Sequence, residues 1–541
     1  MTASASVLGA AQPRAETDSL LLERLASVLP EGSKFGIYHL STPPTRTEAL
    51  YSAPPNERPD KTFRENHFLA VSADVGDPPK PTLVLGLEIF VFSTAFCTTL
   101  FVSKADSTGY LQLLGLPRTA PSPVREITTA FVEFLVRHRR RHGVPTVVNL
   151  FARAQAQYLF PGSVENKGKH VLDDRGLVKW WCRVLNPLVE GDDDAGDAPP
   201  VNVKGYLVVP GLDAYETRAF LPRPSSHATH TTAATRWTLG HPLETISHYT
   251  SERAWVPPRC LIPRYPDDPK SRFRDELDEE AISWRKDTGA WKSVKSLDQF
   301  WEMMAFRQEC SSGRLTGFLW IVFDAKQGRG GRSSSPDEAP SQGVRATTKS
   351  AEEKGIPKKS RKKKQKKKKK LTGPIIPRQP RAKTRARSRL ENLPVSTAYY
   401  YWPPQGRGER IVDESDYKRI VELLLHLDFS TLVKAAASTR RWVSEVGVGG
   451  SWGREVVGTR KLSVAAATSG RSGDTGAAGP AVTNLSGLIK RKRPAPSAEA
   501  EGQGTACQPG LDRSTAGAAA TSTAPVNVLG AGLVRKKPKP S

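Results

Sequence analysis

The run KKSRKKKQKKKKK, Lys358–Lys370, is the strongest constraint on how this chain can fold. Its ammonium groups repel one another and it has no apolar surface to offset the entropy of ordering, so it belongs outside any packed core. Counting outward from it locates the charge of the whole molecule. The 541 residues carry a formal +25. Between Arg345 and Leu390 stand 20 Lys or Arg and two acids, Glu352 and Glu353, a balance of +18. From Glu445 to Ser541 there are 13 basic and 6 acidic residues, or +7. The rest is neutral, 47 basic against 47 acidic. Net basicity therefore resides in low-complexity segments: Lys326–Pro394, with GRGGRSSSPDEAPSQG, and a tail holding TSGRSGDTGAAGPA, KRKRPAP and VRKKPKPS. Three clusters with the density of import signals predict a nuclear protein, with weak direct nucleic-acid contact through these segments; a solubilising linker and tail is the plainer reading.

The remainder is foldable. Cys97, Cys182, Cys260, Cys310 and Cys507 lie far apart without a C-x-x-C, which predicts reduced intracellular thiols and no metal. The N-terminus lacks the apolar core of a secretory signal. Thr82–Val102, TLVLGLEIFVFSTAFCTTLFV, is rich in β-branched and aromatic residues and carries Glu88. It reads as two buried strands with a short connection in a soluble chain, not as a membrane span. Periodicity predicts helices over Leu20–Leu29, Val124–Arg140, Leu172–Leu185 (capped by Asp173 or Asp174), Ser271–Ser283, Ser296–Gln308 and from Glu414 onward. Strands are predicted at Lys34–Leu40, Asn66–Ala73, Thr82–Phe92, Thr99–Lys104, Pro145–Phe151, Val201–Pro210, Arg259–Arg264 and Gly317–Phe323. The interleaving predicts a single large mixed α/β domain over 20–324 and 395–446. A basic insertion, 325–394, would interrupt it, between a disordered N-terminus, 1–19, and a disordered basic tail, 447–541.

Several site signatures fail. Gly162–His170, GSVENKGKH, resembles a phosphate loop only in outline: its glycines are one residue too far apart and His170 stands where Ser or Thr would hold magnesium. H-E-x-x-H, G-x-S-x-G, the dinucleotide glycines and the R/Q-x-x-G-x-G/A acetyltransferase loop are missing. Two constellations remain. In Phe151–Leu185 an aromatic strand end leads through a Pro-Gly turn to a helix bearing Trp180 and Trp181. Adjacent tryptophans point about 100° apart on a helix, so a pocket wall competes here with a core helix carrying bulky anchors. In Arg264–Glu280, Asp268-Pro269 suits an N-cap and first helical residue. The same carboxylates, Asp267 and Asp268, with Lys270 close by, also suit proton transfer, and neither reading excludes the other.

Four motifs in order carry a resemblance: FVSKADSTGY (Phe101–Tyr110), QYLFPGS (Gln157–Ser163), KHVLDDRGLVKWW (Lys169–Trp181) and PDDPKSRF (Pro266–Phe273). With them the chain resembles the fungal histone H3 lysine-56 acetyltransferase family, relatives by fold of the animal CBP-type acetyltransferases, over most of 20–324 and 395–446. The resemblance implies a central sheet flanked by helices, acetyl-coenzyme A as co-substrate and lysines of histone H3 (with H4), including lysine 56, as acceptors. It further implies histone chaperones of the nucleosome-assembly and anti-silencing types as partners, in replication-coupled nucleosome assembly and the DNA damage response. Position by position, Ala105, Asp106 and Ser107 would border the coenzyme, and Phe151, Arg153, His170, Val171, Leu172 and Trp180 would line it further along. Trp181 and Tyr158 would flank the substrate lysine. Asp267 and Asp268 would sit at the reaction centre, Asp268 as proton acceptor or orienting group, with Lys270 as a site of autoacetylation. Trp237, in the weaker match RWTLGHP, is a candidate for the same pocket. Gln155 stands where a small residue is expected, and Arg137–Val144 replaces a long insertion of some members.

The residue types suit the chemistry. A lysine amine, with a pKa of about 10.4 in water, must lose a proton to attack a thioester. An aromatic pocket lowers that value by desolvation, and a carboxylate can take the proton. The alternative, a non-enzymatic nuclear protein binding chromatin or nucleic acid through its basic segments, explains the charge and leaves the four motifs unexplained.

Overall fold

The apolar runs assemble into one 11-stranded mixed sheet. The structure, a computed structural model, describes residues 19–117, 119–190, 202–222, 236–280, 290–311, 313–324, 393–448 and 450–461. The expected disordered N-terminus up to residue 18, residues 325–392 of the basic insertion, and the tail from residue 462 lie outside the described residues. In chain order the strands are β1 (Lys34–Ser41), β2 (Thr45–Thr47), β3 (Thr62–Val75), β4 (Lys80–Ser93), β5 (Thr98–Ser107), β6 (Thr146–Ala152), β7 (Asn202–Val208), β8 (Trp237–Leu239), β9 (Gly317–Asp324), β10 (Arg410–Ile411) and β11 (Arg454–Val457). Their spatial order is β10-β1-β3-β4-β5-β6-β9-β7-β8, with β11 also on β1 and β2 on β3. The longer helices are α1 (Ser19–Val28), α2 (Pro123–Arg139), α3 (Asp174–Glu190), α4 (Pro269–Glu280), α5 (Leu297–Met304), α6 (Glu414–Leu424) and α7 (Leu432–Gly447).

A β3–β4–β5 meander forms the middle of the sheet, and α2 carries the chain from β5 to β6, which run parallel. The predicted face of α2 (Ile127, Ala130, Phe131, Phe134, Leu135) is buried. β9 slots antiparallel between β6 and β7, which explains its unbroken apolar sequence: both of its faces are covered. Leu319, Ile321 and Phe323 enter the larger core, while Phe318, Trp320 and Val322 enter a second core with Leu261, Phe273, Trp291, Phe300 and Trp301.

Thr82–Val102 is the predicted pair of strands, and its acid is accounted for. Glu88 sits where the β4–β5 register shifts, and its carboxylate accepts from Ser103 Oγ at 3.0 Å, Lys104 Nζ at 2.9 Å and Tyr417 Oη of α6 at 3.2 Å. Among the described residues no helix is long and apolar enough to cross a membrane. Beyond the insertion the chain rejoins the sheet at β10, and α7 packs over β4, where Thr439 Oγ1 accepts the Leu83 N–H at 2.8 Å.

Three expectations change. Arg259–Arg264 is not a strand: Pro258–Cys260 is a 3₁₀ turn, and the Ile262 and Pro263 carbonyls accept side-chain bonds from Arg274 and Ser271. Pro263, without an N–H, could not have completed a ladder there. Part of the expected tail is ordered, since Arg454–Val457 forms β11 against β1 from Lys34 to Ile37. The expected helix Ser271–Ser283 starts earlier, at Pro269, and its residues past 280 lie outside the described residues.

Candidate active site

Parallel β5 and β6 share register only from Thr98↔Thr146 to Phe101↔Asn149. Beyond that point β5 follows β4 as far as Ser107, and β6 follows β9 as far as Ala152. Parallel strands that part leave a crevice at their carboxyl ends, where open sheets bind ligands. Ala105, Asp106 and Ser107 lie on one lip, Phe151 and Arg153 on the other, and residues 153–172 form the loop between them and α3.

Asp106 ties that loop down. Its Oδ2 accepts the backbone N–H groups of Tyr158, Leu159 and Phe160 at 2.7, 2.9 and 3.3 Å. Its Oδ1 accepts the Ser107 N–H at 2.8 Å and the Lys169 ammonium at 2.8 Å. The carboxylate thus holds the loop through both of its oxygens. Tyr158 is half-buried and donates its hydroxyl to the Arg153 carbonyl at 3.1 Å. Arg153 Nε is buried without a partner, a donor on the lip that a ligand can satisfy. Gln155 is exposed, so a long side chain is accommodated there.

His170 and Val171 are exposed and Leu172 half-buried, leading into α3. The capping question is settled by Asp173, whose Oδ1 accepts the Gly176 N–H at 2.7 Å. Asp174 instead takes the Ala154 N–H, the Leu315 N–H and a fork from Arg314 at 2.8 and 3.2 Å. Burial alone would raise its pKa, yet the Arg314 fork and the two N–H donors hold it below the usual value. The tryptophans divide as helical geometry requires. Trp181 is buried and Trp180 half-buried, their rings edge to face at 4.9 Å. Trp181 is the bulky anchor, and Trp180 keeps part of its surface accessible.

The second half of the site comes from α4. Asp268 and Lys270 have fully buried side chains and form an ion pair. Asp268 also caps α4 by accepting the Lys270 N–H at 3.1 Å, so it serves as both cap and charge partner. The Lys270 ammonium lies 5.0 Å from the ring centre of Tyr265 and 5.2 Å from that of Phe318. Tyr265 stacks on Phe101 at 4.2 Å, Phe101 approaches Phe151 at 6.3 Å, and Phe318 pairs across strands with Phe151. An aromatic chain therefore joins the crevice lip to the buried pair. Burial drives Asp268 above and Lys270 below their ordinary values, each opposed by the other's charge, so both shifts lean toward a neutral pair. Asp267 is exposed, in the left-handed region at φ 56° that Asp tolerates. Trp237, the weaker candidate for this pocket, lies on β8 and donates to Asn186 of α3 at 3.0 Å.

Sequence reasoning left Lys169, Tyr265, Phe318 and Arg314 without roles. Lys169 and Tyr265 lie in or beside the matching motifs, but Arg314 meets Asp174 across 140 residues, with no local signal.

Residues 21–145 and 141–445 match the histone acetyltransferase KAT11-type domain. The chain belongs to that family. It is 40% identical to a protein of Aspergillus flavus named histone acetyltransferase rtt109, over 97% of this chain and 100% of the relative. A Schizosaccharomyces pombe protein of the same name is 31% identical over 55% of this chain and 70% of its own length. The crystal structure of Rtt109 from Aspergillus fumigatus superposes with a TM-score of 0.61 at 37% identity, covering 82% of this chain and all of that one. The KAT11-type chain is therefore a histone acetyltransferase with acetyl-coenzyme A as co-substrate, and it acts on chromatin. The non-enzymatic alternative falls.

Proposed function

We propose that this acetyltransferase works in the nucleus on lysines of histone H3, lysine 56 among them, presented with H4 by chaperones of the nucleosome-assembly and anti-silencing types. Replication-coupled nucleosome assembly and the DNA damage response are the settings proposed. The observation that carries this reading is the Asp268–Lys270 pair, linked through Tyr265 and Phe101 to the lip of the β5–β6 crevice. Buried acid–base groups near the point where β5 and β6 part would suit transfer from a long thioester substrate. The catalytic domain, 20–324 and 395–446, would be neutral overall and so depend on a carrier for histone delivery, while the basic insertion and tail serve import and chromatin contact.

In this proposal Ala105, Asp106, Ser107, Phe151, Arg153, His170, Val171, Leu172 and Trp180 border and line acetyl-coenzyme A, Asp106 also holding their loop. Tyr158 and Trp181 flank the acceptor lysine and desolvate its amine. The transferred acetyl leaves sulfur as the amine nitrogen bonds to the carbonyl carbon, and the amine's proton passes toward Asp267 or Asp268. Asp267, exposed, is open to that proton directly. Asp268 is held on both oxygens by Lys270. Autoacetylation of Lys270 would remove the charge that opposes Asp268's upward shift and so strengthen it as a base. Positioning contributes as well, because holding amine and thioester together removes much of the entropic barrier.

The test is acetyl transfer by the full chain to H3–H4 with acetyl-coenzyme A and chaperone. Asp268→Asn and Trp181→Ala are expected to lose about a hundredfold in kcat/KM, and Lys270→Arg, with acetylation mapped by mass spectrometry, to stay at the unmodified rate. Deletion of Arg345–Leu390 is expected to leave turnover on an H3 peptide within about twofold. Absence of transfer with chaperone present sinks the H3 reading, and equal rates for parent and Lys270→Arg sink the role of Lys270.

A further inference from the structure

We propose that Lys169 is a positioning residue for acetyl transfer, its ammonium fixing the loop that carries Tyr158 to the segment that leads into α3. The proposal rests on the functional reading above and assigns a residue that reading does not use.

The Lys169 side chain is only 5% exposed. Its ammonium donates to Asp106 Oδ1 and to Ser163 Oγ, each at 2.8 Å, so it bridges the end of β5 to the turn after Tyr158. Its backbone is equally fixed. Lys169 N–H donates to the Asn166 carbonyl at 2.9 Å, and Asn166 Nδ2 donates to the Thr108 carbonyl at 2.8 Å. Gly109, at φ +85°, packs so closely that a Cβ on it would fall 2.4 Å from Lys169 N. Residue 169 is therefore set from both sides. The residue after it, His170, is exposed, which puts the proposed donor contacts immediately beyond a rigid anchor.

The division of labour around Asp106 gives Lys169 a distinct task. The Tyr158, Leu159 and Phe160 N–H groups bind one oxygen and orient the acceptor side of the loop. Lys169 takes the other oxygen, so the Asp106 carboxylate relates Tyr158 to His170 in a single rigid unit. Without the ammonium the four backbone donors still hold Asp106, but its direct bond to the donor segment is gone, and that segment keeps only the Asn166–Thr108 link and the Gly109 contact. Misplacement of reacting groups by about 1 Å can cost up to about a hundredfold in rate. The expected signature is a loss in kcat together with weaker coenzyme binding in a folded protein.

The experiment uses the full chain and compares Lys169→Met, Lys169→Arg and the charge-balanced pair Asp106→Asn with Lys169→Met. Steady-state kinetics on H3–H4 with chaperone, calorimetric binding of coenzyme A and thermal unfolding are read together. Lys169→Met is expected to lose about tenfold in kcat and about tenfold in coenzyme A affinity, with Lys169→Arg recovering most of both. The amide oxygen introduced by Asp106→Asn would still accept the Tyr158, Leu159 and Phe160 N–H groups and lose only the Ser107 N–H, so the pair is expected to unfold a few degrees below the parent while keeping the kinetic defect. Parental kcat and coenzyme affinity in Lys169→Met, or in the charge-balanced pair, overturns the proposal. So does a loss that vanishes once thermal stability is restored. If the parent fails to acetylate H3, the acceptor assignment is what fails, and the coenzyme A affinities alone then decide the role of Lys169.

Discussion

Among the described residues stand two buried aspartate–lysine pairs, and they differ in everything except their residue types. Asp106–Lys169, with side chains 6% and 5% exposed, lies where β5 parts from β6. Asp268–Lys270, fully buried, starts α4. Asp106 accepts four backbone N–H groups besides its lysine, whereas the Asp268 carboxylate takes its hydrogen bonds from Lys270, through the ammonium and the backbone N–H. A buried charge with all its lone pairs engaged is a fixed structural part, and one with a single partner is poised to neutralise. The first pair thus reads as a latch and the second as a titratable centre.

The largest effect that would break this comparison is the sign of an apolar replacement. Asp106→Leu with Lys169→Met strands four backbone donors, at about 1–3 kcal/mol each where they stay buried, so it is expected to lose more than about 4 kcal/mol in urea unfolding. Asp268→Leu with Lys270→Met removes two mutually dependent charges, a gain of about 1–4 kcal/mol that loss of the α4 cap offsets by about 0.5–2 kcal/mol, so it is expected to be near neutral or mildly stabilising, though inactive. Equal losses in the two double variants would show that both pairs are latches.

Next come the single truncations of the α4 pair, each expected to cost about 3–5 kcal/mol near neutral pH because one charge is left buried alone. Their pH dependences run in opposite directions. In Lys270→Met the raised Asp268 contributes stability below its ordinary value of 3.8 and loses it as pH rises through the folded value, so the deficit grows with pH. In Asp268→Ala the lowered Lys270 contributes stability above 10.5 and loses it as pH falls through the folded value, so the deficit shrinks with rising pH. Parallel slopes in thermal unfolding across pH would contradict the assignment.

What the sequence made legible follows from where each signal resides. Strong periodicities (Thr82–Phe92, Val124–Arg140, Gly317–Phe323) appear as elements because burial on one face or both is written in adjacent residues. Arg259–Arg264 misled because its apolar residues are buried by side chains of α4 and its carbonyls are satisfied by Arg274 and Ser271 rather than by a neighbouring strand. β11 was hidden in a tail judged by composition, since four residues pairing with β1 carry little local pattern. In the site, Asp106, Tyr158, Asp268 and Lys270 were reached through motifs. Their hydrogen bonding was not: Asp106, expected at the border of the coenzyme, is also the anchor of the loop that carries Tyr158. Arg314 could not be found, because its partner is distant in sequence and the contact depends on the assembled fold.

Arg314 supplies the smallest and last test, since it holds the same loop with a more open ion pair. Its side chain is 42% exposed, against 5% for Lys169, although both meet an aspartate that also accepts backbone N–H groups. Water screens the Arg314 charge, so Arg314→Ala is expected to cost only about 0–1 kcal/mol. The Ala154 and Leu315 N–H groups remain on Asp174 to limit the damage. The lowered Asp174 contributes stability above 3.8 and loses it as pH falls through the folded value, so Arg314→Ala should flatten the acid limb of unfolding, its small deficit present at neutral pH and vanishing as Asp174 protonates. A loss at neutral pH as large as that of Lys169→Met would mean that burial is not what separates a latch from a surface pair, and the comparison between the two buried pairs would lose its physical basis.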